Sequence, residues 1–467
     1  MNSSSKKGLN ISTRSFLVAV AVIFILMVLT YILTLVIPGG EYARIPDENG
    51  NLIIDVSAPF RNVPGGIPFW KWLLSPILVL TADGSTTIIA VIIFLLVIGG
   101  IFNALEKCGL MKYMLEFLTS RYGARRYTLM AVVIFFFMAL GALIGSFEEC
   151  VPLVPIVVSL AINLGWDVLT GLGMSLLAVG CGFAAGVFNP FTVGIAQELA
   201  GLPMFSGWWF RAIAFVLIYC LLMVFLRARA KAVDTGVKQE ETGSFIRDPK
   251  MDKAVLLFAC IMGAGLILVM ASAVITVLQD YTMIIVAVMF LIAGTTACLA
   301  SGMRFRDYAI GMKDGVISML PAVLMILMAS SIKYTLQESG ALDVIIEKAM
   351  IAAQSFPRWA VILFIYLIVL VMNFFIPSGS AKAIMLIPII VPLAAQFRIP
   401  AQLCIVAYAF GDGFSNVFYP TNPALLISLG LAGVSYGEWF SWSKKFQLAN
   451  LLLTSALLLL GLMIGLV

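Results

Sequence analysis

The chain has 467 residues, of which 62% are hydrophobic and only 11% charged, with a mean hydropathy of +1.07. Soluble globular chains carry about 25% charged residues, so this composition excludes a soluble enzyme or a nucleic-acid-binding domain and describes an integral membrane protein. The formal charge is a modest +5, there is no histidine to act as general base or metal ligand, and the seven cysteines are scattered through apolar segments without disulfide or zinc spacing.

Taken in chain order, apolar spans cover 16–37, 84–105, 167–202, 207–228, 254–275, 280–300, 316–337, 401–434 and 443–467. The first is too long for a signal-peptide core and lacks a small-residue cleavage site, which predicts a retained helix. The alternating strands of an outer-membrane barrel are missing, so the backbone must satisfy itself as helices. Segments 167–202 and 401–434 are too long for single crossings, and each contains an Asn-Pro pair, Asn189-Pro190 and Asn422-Pro423. Asparagine is a good N-cap and proline suits the first helical position, so each pair ends one half-helix and starts another inside an apolar run.

Segments 126–164 and 357–397 are also long, but small and charged residues interrupt them at "GSFEE" (145–149) and "PSGSAK" (377–382). Read as re-entrant hairpins, they place the Lys- and Arg-rich loops on one side, leaving only Arg44, Arg61, Lys71, Arg211, Lys348, Arg358 and Arg398 on the other. The positive-inside rule then makes the N-terminus cytoplasmic.

A repeat supports this division. Leu153-Val-Pro-Ile-Val-Val matches Leu386-Ile-Pro-Ile-Ile-Val, and Asn189-Pro190 matches Asn422-Pro423, both at an offset of 233 residues (386 − 153 and 422 − 189). Gly180 and Gly413 share that offset. The copies begin on opposite sides, and secondary carriers commonly contain such inverted repeats with broken helices at mid-membrane. The expected fold is an all-α integral membrane protein, an inverted-repeat secondary transporter with two re-entrant hairpins and two broken helices. Its parts are a cytoplasmic segment 1–15, a first helix and extracytoplasmic loop 16–83, a first repeat 84–228, a cytoplasmic linker 229–252, two scaffold helices in 253–300, and a second repeat 316–467.

Charges at the bilayer centre cost about 3 kcal/mol each on insertion scales, so those that remain are candidates for function. The expected substrate or ion site comprises Ser146, Glu148 and Glu149 at the first hairpin tip, Ser378, Ser380 and Lys382 at the second, and Asp412, Asn189 and Asn422 on the broken helices. Pro190 and Pro423 make the breaks. Ser380 is expected to cap the returning half of its hairpin. Four half-helices, beginning after 149, 189, 380 and 422, aim positive dipole ends at an anionic group. By the repeat offset Glu149 falls opposite Lys382 (382 − 149). Asp412 is either a site residue or the partner of Lys382, and both readings stay open. No catalytic or metal constellation is expected and no cofactor; Na+ and H+ both stand as coupling ions. An intramembrane aspartyl protease would need two embedded aspartates where only Asp412 stands out, and a channel would need a continuous pore.

The motifs "LVIPGGEY" (35–42), "GSFEE", "GVFNPFTVGIAQELAG" (186–201), "NFFIPSGSAKA" (373–383) and "YPTNPALL" (419–426) resemble the YfcC-like branch of the C4-dicarboxylate anaerobic carrier family, within the ion transporter superfamily. The resemblance spans essentially the whole chain. It implies a homodimer joined through scaffold helices in the bacterial inner membrane and an elevator-like movement of the substrate domain. Sodium–dicarboxylate relatives carry Ser-Asn-Thr at both hairpin tips, whereas this chain carries Gly-Ser-Phe-Glu-Glu and Ser-Gly-Ser-Ala-Lys. The expected activity is secondary transport of a small carboxylate-bearing metabolite, foremost an amino acid and among these a basic one exchanged as arginine or ornithine, with a proton- or sodium-coupled C4-dicarboxylate carrier as the alternative.

Overall fold

The computed structural model describes residues 13–46, 52–54, 58–82, 85–122, 125–145, 147–235, 247–272 and 282–466. After the first helix, α1 (Thr13–Val36), the chain makes four short strands, β1 (Gly39–Glu41), β2 (Arg44–Pro46), β3 (Leu52–Ile54) and β4 (Arg61–Val63). They form two antiparallel ribbons, β1 with β4 and β2 with β3. Short helices α2 (Phe69–Leu73) and α3 (Ser75–Leu78) lead to α4 (Ser85–Lys107) and α5 (Leu110–Tyr122).

A first helical pair follows. Its descending limb is α6 (Arg126–Ala139), extended by a π-helical turn to Ile144. Its returning limb is a 3-10 stretch Glu148–Leu153 and then α7 (Val154–Asn163). The next helix is interrupted, as α8 (Val168–Leu172), a π turn, α9 (Ala178–Ala185), an open segment, a second π turn from Pro190 and α10 (Ile195–Leu199). Then come α11 (Trp208–Ala232), α12 (Pro249–Ser272) and α13 (Thr282–Ala300). The second half repeats the order with α14 (Phe305–Glu338), α15 (Ala341–Ala353), the pair α16 (Arg358–Phe375) and α17 (Gly379–Gln396), the interrupted helix α18 (Ala401–Asn416) and α19 (Pro423–Ala432), and finally α20 (Tyr436–Ile464).

Among the described residues, eight helices are long and apolar enough to cross a membrane. One differs most from the expected bounds. The apolar length predicts a span over 316–337, yet α14 starts eleven residues earlier, at Phe305. Its first turns carry Arg306, Asp307, Lys313 and Asp314, which read as a loop by hydropathy but favour helix as straight-chain or first-turn residues. At about 1.5 Å per residue such a helix outruns a 30 Å hydrocarbon core, so the charged turns lie beyond it.

The interrupted helices are the centre of the molecule. In the segment Val168–Leu199, 94% of the most apolar window is buried, against 28–50% for the other spans, so it meets protein on every side. Every residue of α9, and every residue of α18 from Gln402 on, is likewise buried. The two helices cross on glycine. A methyl group on Gly413 would sit 2.2 Å from the Ala184 backbone nitrogen, and one on Gly180 would sit 2.4 Å from Val417 Cγ1. Small residues allow this approach, which supplies packing where no hydrophobic effect acts between lipid-embedded helices. Gly413→Val is expected to lower the unfolding free energy by about 1–3 kcal/mol. Denaturant titration of purified protein checks this, and unchanged stability would contradict so close a crossing.

The ribbon segment is tied to the second half by polar contacts. Arg44 pairs with Asp343 at 2.8 Å, the Tyr42 hydroxyl donates to Glu347 at 2.5 Å, Lys71 pairs with Glu338, and the Gly40 amide donates to the Gly340 carbonyl at 3.3 Å. Burial, and then the Glu347 carboxylate, push the Tyr42 phenol well above its usual range. At the ends of α8 and α11, Arg229 pairs with Asp167 and Arg126 with Asp234, each at 2.5 Å.

Candidate functional site

The two breaks are built the same way. Asn189 stands outside the helical region (φ −64°, ψ 111°), and its side-chain oxygen accepts from the Phe191 and Thr192 amides at 3.0 and 3.2 Å. Asn422 (φ −84°, ψ 117°) accepts from the Leu425 amide at 3.3 Å and donates from Nδ2 to Asn416 Oδ1 at 3.1 Å. In each case proline follows at the first helical position, where no amide hydrogen is needed.

The carbonyl ends facing these caps are also occupied. Arg211 donates to the carbonyls of Gly186 and Val187 at 3.0 and 3.1 Å, and to those of Ser206 and Phe205. The charge pattern predicts Arg211 to be a loop cation on the extracytoplasmic side. Instead it is fully buried. A guanidinium compensates the negative end of α9, and four carbonyls satisfy a planar fork of donors. At the second break the donors are neutral: Trp439 Nε1 to Val417 at 2.8 Å and the Tyr436 hydroxyl to Phe418 at 3.0 Å.

The hairpin tips meet these breaks. Gly145 ends the first descending limb in a left-handed conformation (φ +76°), and a methyl group there would sit 2.3 Å from Asn189 Oδ1. Ser146 lies outside the described residues, as does the side chain of Glu149. The returning helix begins at Val154 and not directly after 149, because the intervening turn, which contains Pro152, is 3-10. In the second hairpin the N-cap position is taken by Ser378, not Ser380, and no side-chain oxygen caps the helix there. Ser378 and Ser380 are both half-buried.

Lys382 lies one turn into α17 and is fully buried. Its ammonium donates to Asp412 Oδ1 at 2.5 Å, to the Ile376 carbonyl at 3.3 Å, and to Asn373 Oδ1. Three donors are thereby assigned to three oxygens. Of the two readings left open for Asp412, the structure shows the pairing with Lys382: α17 and α18 bring the two together, 30 residues apart in sequence, while the Glu149 side chain lies outside the described residues. Asn373 Nδ2 extends the network to Ser415 Oγ, Asn416 Oδ1 and the Asp412 carbonyl, and Asn416 reaches Asn422.

Three buried polar atoms near this network find no hydrogen-bond partner among the described residues: Asn189 Nδ2, Thr192 Oγ1 and Asp412 Oδ2. Two of these side chains converge on the second hairpin tip, since a methyl group on Gly379 would sit 2.8 Å from both Asp412 Oδ2 and Thr192 Cγ2. An unsatisfied buried polar atom costs about 1–3 kcal/mol, so such a cluster is where a ligand gains most.

Glu148 opens the site to a cavity. It is half-buried and lines about 640 Å³ of empty space, together with Pro152 and Pro155 of the first hairpin, Pro423 and Ala424 at the start of α19, and the apolar faces of α4 and α14. Among the described residues no cation pairs with Glu148.

The sequence profile of the C4-dicarboxylate anaerobic carrier family (DcuC) matches residues 16–463. The chain belongs to this family. It is thus a multi-pass membrane transporter and not an enzyme. Among its relatives is an Escherichia coli K12 protein provisionally named basic amino acid antiporter YfcC, 26% identical over 395 residues, covering 80% of this chain and 78% of that one. A Haemophilus influenzae protein is 22% identical over 396 residues, covering 80% and 76%. Among solved structures, the Alcanivorax borkumensis YdaH transporter aligns over 97% of this chain and 98% of its own, at 19% identity and a TM-score of 0.48. Neisseria gonorrhoeae MtrF, described as illuminating a class of antimetabolite efflux pumps, aligns over 95% of both chains at 16% identity and a TM-score of 0.47.

In this carrier the residues that sequence reasoning passed over are Asn373, Ser415, Asn416, Thr192 and Arg211. Each is polar within an apolar run, a signal present in the sequence. Asn189→Ala and Asn422→Ala are each expected to cost about 1 kcal/mol of stability as lost caps. Substrate binding should fall much further than that, as read by calorimetry on purified variants; normal binding by both would leave these residues a structural role only.

Proposed function

We propose that the carrier exchanges a small amino acid, basic ones included, by alternating access. The observation that carries this reading is Glu148: an unpaired carboxylate among the described residues, on the wall of an apolar cavity of about 640 Å³. An ammonium or guanidinium group would complement it, and an aliphatic stem would lie on the proline and leucine wall. The substrate carboxylate would take the positive start of α19, where Pro423 and Ala424 line the same cavity. A dicarboxylate fits less well, because the nearby lysine is already paired with Asp412. The name of the Escherichia coli relative agrees with this substrate class.

The halves 84–228 and 316–467 would act as inverted repeats, with the two hairpins and two broken helices forming the moving part, α12 and α13 part of the scaffold, and a homodimer as the working unit. Supporting this, Gly180 meets Val417 and Gly413 meets Ala184, and both 413 − 180 and 417 − 184 equal the repeat offset of 233. The two contacts are images of each other under a pseudo-twofold axis. The carrier would lie in a bacterial inner membrane, and the loop charges support an N-terminus on its cytoplasmic side. Single cysteines should then label from outside at Arg61 and from inside only at Lys253; the reverse pattern would overturn the orientation.

Proteoliposome counterflow tests the substrate. Arginine, ornithine and neutral amino acids are expected to exchange, and succinate and aspartate not. Preferred exchange of succinate would replace this reading by the C4-dicarboxylate one.

A further inference from the structure

In broken-helix carriers, the backbone carbonyls left at mid-membrane helix ends are the groups that hold an inorganic coupling cation. Here these ends already carry side-chain donors. Arg211 holds the Gly186 and Val187 carbonyls after α9, and Trp439 and Tyr436 hold those of Val417 and Phe418 after α18. Lys382 holds the Ile376 carbonyl after α16.

The Lys382 position has the make-up of a cation site. Its three partners are a carboxylate oxygen, an amide oxygen and a backbone carbonyl. Hard cations prefer such all-oxygen sets. A fourth oxygen, Asp412 Oδ2, is buried there without a hydrogen-bond partner among the described residues. Lys382 and Asp412 are both fully buried, so the ammonium is the charge that balances this carboxylate.

We propose that Lys382 is a tethered cation, filling an oxygen cage that would otherwise take an alkali cation such as Na+, and that Arg211 likewise fills the carbonyl end at the first break. Both charges are covalently part of the chain and travel with it through the transport cycle. They are not released to either side, so no alkali-cation gradient drives the carrier, and the exchanged substrate itself resets it. Removing the lysine stem should uncover the cage.

The test needs no substrate and is therefore independent of the amino-acid reading. Thermal unfolding of the purified full-length carrier is followed at constant ionic strength while N-methylglucamine chloride is replaced by NaCl, LiCl or KCl. The wild type is expected to be indifferent. Lys382→Ala is expected to melt lower in N-methylglucamine and to recover by several degrees, saturably, with an alkali cation, Na+ foremost, as a ligand that binds only the folded state must do. Lys382→Met keeps the cage filled with an apolar stem and should not respond. If Lys382→Ala cannot be purified without alkali cation, its recovery as monodisperse protein in NaCl supports the proposal. A saturable Na+ response in the wild type overturns it, and so does a Lys382→Ala protein that no alkali cation stabilises or rescues.

Discussion

Lys382→Met is expected to cost about 3–5 kcal/mol of stability in alkali-cation-free buffer, because it strands the Asp412 carboxylate in the protein interior. The pair is fully buried at 2.5 Å, and the Asn373 amide donor beside it points to backbone and neighbouring side chains. A buried pair is worth little relative to its absence but a great deal relative to its halves. The double variant Lys382→Met with Asp412→Asn should therefore regain most of the loss, giving a coupling energy of about 2–3 kcal/mol in a double-mutant cycle. Transport should not return, because the charge pair sits between the hairpin tip and the second broken helix. Denaturant unfolding of the four proteins reads the cycle. Additive losses would mean that the two residues do not sense each other, and the architecture of the site would have to be redrawn.

Glu148→Gln is expected to weaken binding of arginine, ornithine and zwitterionic amino acids by about 10- to 100-fold, since a hydrogen bond to a charged group is worth about 1.5–3 kcal/mol and 1.4 kcal/mol is tenfold. The loss should be larger for substrates carrying two cationic groups than for neutral amino acids. Carboxylates without an amine should be unaffected or bind better, because a negative charge has been taken from the cavity wall. Glu148→Asp keeps the charge but shortens its reach and should fall between. Calorimetry on purified protein is the measurement, since uptake mixes affinity with translocation. Unchanged affinity for every amine-bearing substrate would remove Glu148 from the site and with it the amino-acid reading.

The breaks were legible in the sequence because capping is local. Asn189 and Asn422 each serve amides two or three residues ahead, and Pro190 and Pro423 each take a first helical position. Nothing distant is needed for that geometry. The membrane class, the family and the 233-residue offset are equally sequence properties, resting on hydropathy and on matched short motifs.

The polar network was not legible, for a physical reason visible in the offset itself. The positions 233 residues before Asn373, Asp412 and Asn416 are Leu140, Val179 and Phe183. Two segments of matched length thus carry opposite chemistry at the same places, and a comparison of the copies aligns Lys382 with Glu149 and is silent on Asp412, which Lys382 meets in its own half. Which acid a lysine meets depends on how α17 lies along α18, and that is decided only when the helices pack. Arg211 illustrates the same limit. As a cation after two tryptophans it has the sequence signature of a membrane-interface anchor, yet the packing of α11 beside α9 carries it to the carbonyls of Gly186 and Val187. Hydropathy and local hydrogen bonding determine where a chain enters the membrane, where its helices stop and where they restart. The partners of its few buried charges are decided by side chains that meet only after those helices have packed, because desolvated charges must find compensation within about 3 Å, and sequence distance carries no record of that separation.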